Sequence, residues 1–264
     1  MNLNQMDGSL FFIDDLFIFQ KKSQKKKIVY DRDLNIAIRR VFGNNIPEII
    51  DPPLFGGEIN HGLPLTKKGF WNVEIILKIL GFDYSELRDC PILPSILTLL
   101  LHFATPSEAF GVALQIVRTG LKHSNWIYFP MGKKEFQIFS LVFLEVVQKL
   151  MPKLYQFINS LEDSSEWHSI WDELFTCFFI GHLPFTSLFR ILDCFCFEGY
   201  KIFYRIALGV LKQLEKYLYA CDSISAINGC IKRELSVSEG SRFESLLGAG
   251  FSIEIHRATI NKMR

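Results

Sequence analysis

The sequence predicts an all-α protein, an irregular multi-helix array and not a regular solenoid. Three observations carry that reading. Between Trp167 and Lys212 the apolar residues recur at steps of three and four, the spacing that builds one helix face. Proline, glycine and Ser/Thr signals divide the chain at helix-length intervals. No period-two run appears outside residues 10–30, and no internal repeat is present.

Residues 1–20 are apolar and acidic by turns without a clear period, and read as a short hairpin or a loose arm. Lys21, Lys22, Lys25, Lys26 and Lys27 follow as a basic cluster. A charge run of this kind is by default a solvated linker. Contact with an anionic lipid surface is the sharper alternative, at about 1 kcal/mol per basic residue. Asp33 to Phe42 reads as a helix with Leu34, Ile38 and Val41 on one face, stopped by Gly43-Asn44-Asn45. Residues 46–66, rich in Pro, Gly and Asn, form a long connection. Thr66 caps a helix to Leu80 that Gly81 closes, and Pro94 opens the next.

Thr105-Pro106-Ser107-Glu108 is a capping box with Pro at the first helical position. Its helix runs to about Thr119, with Gly120 as the stop. Lys133 to Met151 is a long amphipathic helix, interrupted by Pro152 and resumed from Lys153 to Leu161. Ser164 or Ser165 caps the central stretch. There Trp167, Ile170, Trp171, Leu174, Phe175 and Phe178 line a first helix ended by Gly181. Pro184 permits a second, through Leu188, Ile191, Leu192 and Phe195, and Glu198-Gly199 is the next break. A third helix carries Ile202, Phe203, Ile206, Ala207, Val210 and Leu211 to about Cys221. Shorter helices cover Ile224 to Leu235, Ser238 to Leu247 and Ser252 to Arg264.

Composition bounds the function. The 264 residues are 49% hydrophobic with 25 Phe, enough for a sizeable core without staples. Net charge is +1, from 29 basic and 28 acidic side chains, which argues against a nucleic-acid partner. None of the six cysteines stands in a C-x-x-C pair, and Cys177, Cys194 and Cys196, set among phenylalanines, read as small core hydrophobes in a reducing compartment. Neither a metal site nor a cofactor is expected, since no ligand spacing supports one. The N-terminus does not have the order of a secretory signal, and no uncharged run reaches membrane-span length. The expected location is cytoplasmic.

The central run W-x-x-L-F…L-P-F-x-x-x-x-R-I-L-D-x-F-x-x-E-G-x-K-I-x-x-R-I-A-L resembles the C-terminal half of a TBC domain, the fold of Rab GTPase-activating proteins. Its carriers are Trp171, Leu174, Phe175, Leu183, Pro184, Phe185, Arg190, Asp193, Glu198, Gly199, Lys201, Arg205, Ala207 and Leu208. Leu150-Met151-Pro152-Lys153-Leu154 is similar to the L-x-P-x-L break of a long TBC helix. Cys90-Pro91-Ile92-Leu93-Pro94 and Leu99-Leu100-Leu101-His102-Phe103 resemble the TBC–TLDc subfamily. So does the tail Phe243-Glu244-Ser245-Leu246-Leu247 with Phe251-Ser252-Ile253. The expected organisation is a divergent arm over 1–30, a TBC domain over 31–221 and a helical extension over 222–264. The opening TBC helices are not recognisable in the arm, and no stretch of the 264 residues resembles a TLDc domain.

The resemblance implies chemistry. TBC domains supply an arginine and a glutamine to the GTPase nucleotide site, through I-x-x-D-x-x-R and Y-x-Q motifs. An arginine finger is worth about 10³–10⁵ in rate. Here Ile28-Val29-Tyr30-Asp31-Arg32-Asp33-Leu34 puts Leu34 where the arginine belongs, and Gly57-Glu58-Ile59 stands where Y-x-Q would. The subfamily is generally deficient in these fingers, so a pseudo-GAP is expected, with catalytic residues absent. A GAP with displaced fingers, using Arg32 or Arg39, is the alternative; a bare helical scaffold is the third reading.

What remains is a binding surface. The implied partners are a Rab- or Arf-type small GTPase and a phosphoinositide-containing membrane, with peripheral placement on vesicle or plasma membrane. Members of the subfamily bind phosphoinositide headgroups in a cationic pocket. Arg190 matches such a pocket best, with Lys201 and Arg205 beside it, since guanidinium groups pair with phosphate oxygens. The plainer reading pairs Arg190 with Asp193 three residues on, and Arg205 with Glu198 or Asp193. Trp171, Leu183, Pro184 and Gly199 are read as structural.

Overall fold

The computed structural model describes residues 24–48, 50, 63–85, 87, 90–122, 128–130 and 132–263. The expected arm over residues 1–20, Lys21 and Lys22, and Gly57-Glu58-Ile59 lie outside that set. Among the described residues there are twelve α-helices and no strand. In chain order they are α1 (Gln24–Phe42), α2 (Lys67–Asp83), α3 (Leu93–Leu100), α4 (Pro106–Lys122), α5 (Lys133–Leu150) and α6 (Pro152–Asn159). Then come α7 (Trp167–Thr176), α8 (Phe185–Glu198), α9 (Lys201–Leu218), α10 (Ile224–Ser236), α11 (Gly240–Phe251) and α12 (Arg257–Met263).

Local chemistry explains several boundaries. Thr66 accepts the Gly69 N–H at 3.1 Å and starts α2. At α4 the Thr105 N–H reaches Glu108 Oε2 at 2.8 Å, and the Glu108 N–H reaches Thr105 Oγ1 at 3.4 Å, so two orphan donors are satisfied reciprocally. Met151 leaves helical geometry between α5 and α6, because Pro152 has no N–H to continue the ladder.

Other boundaries differ from expectation. α1 begins at Gln24, nine residues before the expected start, and so crosses the expected arm boundary at residue 30. α2 continues through Gly81 to Asp83, and α4 through Gly120 to Lys122. A helical glycine costs only about 1 kcal/mol, and the buried face of each helix outweighs that. α7 stops at Thr176, five residues before Gly181. The Phe178 N–H bonds the Phe175 carbonyl at 3.2 Å and the Phe179 N–H bonds the Leu174 carbonyl at 2.9 Å. That pair of bonds is a Schellman stop, with Phe178 at φ 54° where glycine usually stands and Phe179 following at φ 59°. Left-handed backbone costs a bulky residue about 1–3 kcal/mol, and burying a Phe ring returns about 1.5–3. Both rings are fully buried.

The helices pack around an aromatic centre. Phe139 and Phe143 of α5 meet Trp171 and Phe175 of α7, with ring centroids 4.8–5.4 Å apart. Phe203 and Tyr204 of α9 close the third side, and Phe178, in the turn after α7, and Phe195 of α8 lie against Phe203 at 5.2 and 5.8 Å. The Tyr204 hydroxyl donates to the Phe139 carbonyl at 2.6 Å, so its burial leaves no polar group unpaired. α1 packs on α4, where a Cβ at Gly111 would meet the Tyr30 ring at 2.7 Å. The segment after residue 221 is not a loose appendage. α11 crosses α9 so closely that a Cβ at Gly250 would stand 2.1 Å from the Arg205 carbonyl oxygen, and one at Gly209 2.5 Å from the Leu246 oxygen.

Gly250→Ala is expected to lower unfolding free energy by about 2 kcal/mol or more, since backbone must separate from backbone. Gly248→Ala, two residues away with open space around it, is expected to be neutral or stabilising by about 0.5–1 kcal/mol. Urea denaturation of the two variants checks this, and equal losses would contradict the close approach.

Candidate functional site

Where α8 gives way to α9 the chain turns at Gly199, whose φ of 61° and ψ of −141° favour a residue without a side chain. The corner sets Glu198, Lys201 and Arg205 beside one another. Arg205 grips the Glu198 carboxylate with two prongs, Nε to Oε2 at 2.6 Å and Nη2 to Oε1 at 3.2 Å. Its third nitrogen donates to the carbonyls of Gly250 and Ile253 at 3.4 and 3.2 Å. The guanidinium also lies 4.6 Å from the Phe251 ring centroid. Lys201 Nζ sits 3.5 Å from Glu198 Oε1.

A fourth residue joins from the far end of the chain. Arg257, on α12, donates from Nη2 to the Glu198 carbonyl oxygen at 2.6 Å and lies 5.8 Å from the Tyr200 ring centroid. Three cations therefore converge on one glutamate, Arg205 and Lys201 on its carboxylate and Arg257 on its main-chain carbonyl, at the N-terminal end of an 18-residue helix. Among these four side chains the surplus is two positive charges; the N-terminus of α9 adds to it, and the C-terminus of α8, which ends at Glu198, opposes it. Glu198 and Lys201 keep partial exposure, with 25% and 16% of their side-chain surface in water, while Arg205 keeps 10%. The arrangement holds Arg205 rigidly and leaves Lys201 and Arg257 at the rim, which suits a multiply charged anion.

Arg190 lies elsewhere. It pairs with Glu244 of α11 at 3.1 Å and not with Asp193, the partner expected from i,i+3 spacing. Eight residues separate it from Glu198 on α8, about 12 Å along the axis. The structure thus brings Lys201 and Arg205 together and leaves Arg190 apart. Burial pushes the Asp193 carboxyl above its ordinary range, with the Arg190 charge pulling it back. Trp171 is fully buried, Leu183 is buried, and Pro184 caps α8. His182 stands 3.3 Å from Glu173, and burial holds its pKa below the usual value.

The finger positions sit on α1. Leu34 is buried in the core, while the Arg32 side chain is 72% exposed beside Asp33. Two residues are about 200° of helix, so the two side chains leave α1 on opposite sides. Arg39 is exposed, and Arg40 is held by Asp83.

A groove of about 510 Å³ on α5 and α6, lined by Gln148, Pro152, Tyr155, Gln156, Asn159 and Ser160, carries no charged side chain. It does not compete with the Glu198 corner for an anion. Among the described residues no helix is long and apolar enough to cross a membrane, and no cluster of His, Cys, Asp and Glu could hold a metal.

Arg257 was not legible in the sequence as a member of this site. Its contact spans 59 residues, and only a lone basic residue in a short terminal helix marked it.

With that geometry in place, the chain was compared with known proteins. The model of the Rab-GTPase-TBC domain matches residues 65–219. The GTPase-activating protein skywalker of Drosophila melanogaster is 26% identical over 185 residues, covering 68% of this chain and 30% of that protein. TBC1 domain family member 24 of Xenopus laevis is 28% identical over 158 residues, covering 58% of this chain and 26% of that protein. The matched stretch is therefore less than a third of either relative. Among solved structures, the Drosophila Skywalker/TBC1D24 TBC domain in complex with inositol(1,4,5)triphosphate superposes with a TM-score of 0.69 at 24% identity, covering 85% of this chain and 81% of that one. The Chlamydomonas flagellar RabGAP TBC domain gives 0.56 at 16% identity, covering 94% and 74%.

The two arginines should separate in stability. Arg205→Met is expected to cost about 2–4 kcal/mol, because it strands Glu198 and two carbonyls in a largely dry corner. Arg190→Met, at a half-exposed pair, is expected to cost under about 1 kcal/mol. Chemical denaturation of both variants is the check, and a reversed order would contradict the strut role of Arg205.

Proposed function

The chain belongs to the Rab-GTPase-TBC domain family, and from that premise we propose that it works as a binding module and not as an accelerator of GTP hydrolysis. In this reading it engages a Rab-type GTPase and the headgroups of a phosphoinositide membrane in vesicle traffic, as a peripheral protein of the cytoplasm. It acts without a cofactor of its own.

The observation that carries the headgroup half is the cationic corner, where Lys201, Arg205 and Arg257 outnumber Glu198. A phosphorylated inositol offers several dianionic groups to that surplus, and guanidinium forks match phosphate oxygens in pairs. The inositol trisphosphate bound to the similar Skywalker TBC domain supports the same ligand class. Arg190, the position favoured by sequence spacing, is here a comparison site, since Glu244 already engages it.

The pseudo-GAP half rests on α1. With Leu34 buried at the place of the finger arginine, helix geometry offers no cation at that position. Both aligned finger motifs also precede residue 65, where the family match opens. Losing a finger worth about 10³–10⁵ in rate leaves a GTPase turning over at its intrinsic pace. A second reading has one observation in its favour. Arg32 and Arg39 are seven residues apart, both exposed, and share a face of α1.

Two assays test the proposal. Over a panel of Rab proteins, GTP hydrolysis is expected to stay within about twofold of its intrinsic rate, set against the 10³-fold or greater gain of a fingered GAP. A large acceleration lost on Arg32→Ala or Arg39→Ala would establish the second reading instead. Co-sedimentation with vesicles containing a phosphoinositide is expected to fall at least tenfold for Lys201→Gln with Arg257→Gln, and to change little for Arg190→Gln. Binding that ignored the double variant would remove the corner from the account.

A further inference from the structure

The turn after α9 brings two thiols together at a place that neither the fold nor the proposed site uses. Cys221 lies just beyond the end of α9 and Cys230 within α10, and their sulfurs are 3.8 Å apart. Both are free and both are partly exposed. The other four cysteines offer no such pair. Cys90 and Cys177 direct their thiols to the carbonyls of Pro130 and Leu174. Cys194 and Cys196 stand two apart on α8, about 200° around the helix, and so diverge.

We propose that Cys221 and Cys230 form a redox modification site, closed to a disulfide by hydrogen peroxide. The sulfurs must approach from 3.8 Å to the bonded distance of about 2.05 Å. Cys221 can supply that movement, because it stands in the turn and not in a helix. Its thiol contacts the Tyr217 carbonyl at only 3.6 Å, a weak tether.

The chemistry balances without any group beyond the peroxide. One thiol, as thiolate, attacks a peroxide oxygen. The O–O bond breaks, the leaving oxygen takes a proton to become water, and a sulfenic acid remains. The second sulfur then attacks that sulfur. The S–O bond breaks, the S–S bond forms, and a second water departs. Two thiols have lost two electrons and the peroxide has gained them. Burial, with the neighbouring Cys230 sulfur, pushes the Cys221 thiol up to about 11, so that thiol stays protonated near neutrality and reacts slowly. Closure ties the end of α9 to α10, the helix that follows it.

Trypsin places both cysteines in one peptide, Tyr217 to Lys232, between Lys216 and Lys232. The full-length chain, freshly reduced and desalted, is incubated with hydrogen peroxide at pH 8, alkylated without reductant and digested. The expected product is that peptide unalkylated and lighter by about 2 Da, restored by reductant. In Cys230→Ser the same treatment should instead leave oxygen additions on Cys221, or a glutathione adduct when glutathione is present. Wild-type peptide that stays fully alkylatable, or that gains oxygens on the two sulfurs independently, would overturn the proposal.

Discussion

Two helices of this protein touch backbone to backbone. Gly250 of α11 rests on the Arg205 carbonyl of α9, and Gly209 of α9 rests on the Leu246 carbonyl of α11, with no room for a methyl group at either point. Much else follows from that approach. It brings the Gly250 and Ile253 carbonyls within reach of the Arg205 guanidinium. Arg205, so anchored, fixes Glu198, and Glu198 in turn receives Lys201 and Arg257. The helices beyond residue 221 are part of what shapes the cationic corner, although the family match ends at residue 219.

In the proposed reading the corner has two duties that pull against each other. As a strut, Arg205 needs its carboxylate partner, because a guanidinium left unpaired in a largely dry site is costly. As a receptor for anions, the corner needs cations in excess of carboxylates. In that reading three cations at one glutamate meet both demands, with Arg205 committed to structure and Lys201 and Arg257 carrying the surplus. The aromatic centre beneath keeps the corner stiff. Its rings interlock across α5, α7, α8 and α9, and the left-handed backbone at Phe178 and Phe179 is held in place by the burial of those same rings.

Local signals in the sequence reported local structure well. The Thr105 capping box, the Thr66 cap and the Pro152 and Pro184 boundaries were all legible, because each depends on residues within a turn of one another. The all-α class followed from periodicity, and the TBC fold from the ordered motif around Trp171, Pro184 and Gly199. Signals that depend on tertiary context were not legible. Gly81 and Gly120 look like stops and are not, because a helical glycine costs only about 1 kcal/mol and the buried faces that precede them hold their helices. Gly181 looks like the end of α7, yet Phe178 takes that place, since its ring gains more by burial than its backbone loses. At the site, i,i+3 spacing suggested Asp193 for Arg190, whereas the actual partner, Glu244, lies 54 residues on. Arg257 reaches Glu198 across 59 residues, a distance that no local pattern encodes.

We propose, then, that a structural corner doubles as a receptor for a polyphosphorylated headgroup. Thermal unfolding with soluble inositol trisphosphate tests it most directly, because a ligand that binds the folded state alone raises Tm by mass action. A concentration-dependent rise is expected for the wild-type chain and for Arg190→Gln, and none for Lys201→Gln with Arg257→Gln. A wild-type Tm indifferent to the ligand, or a rise that the double variant retained in full, would contradict it.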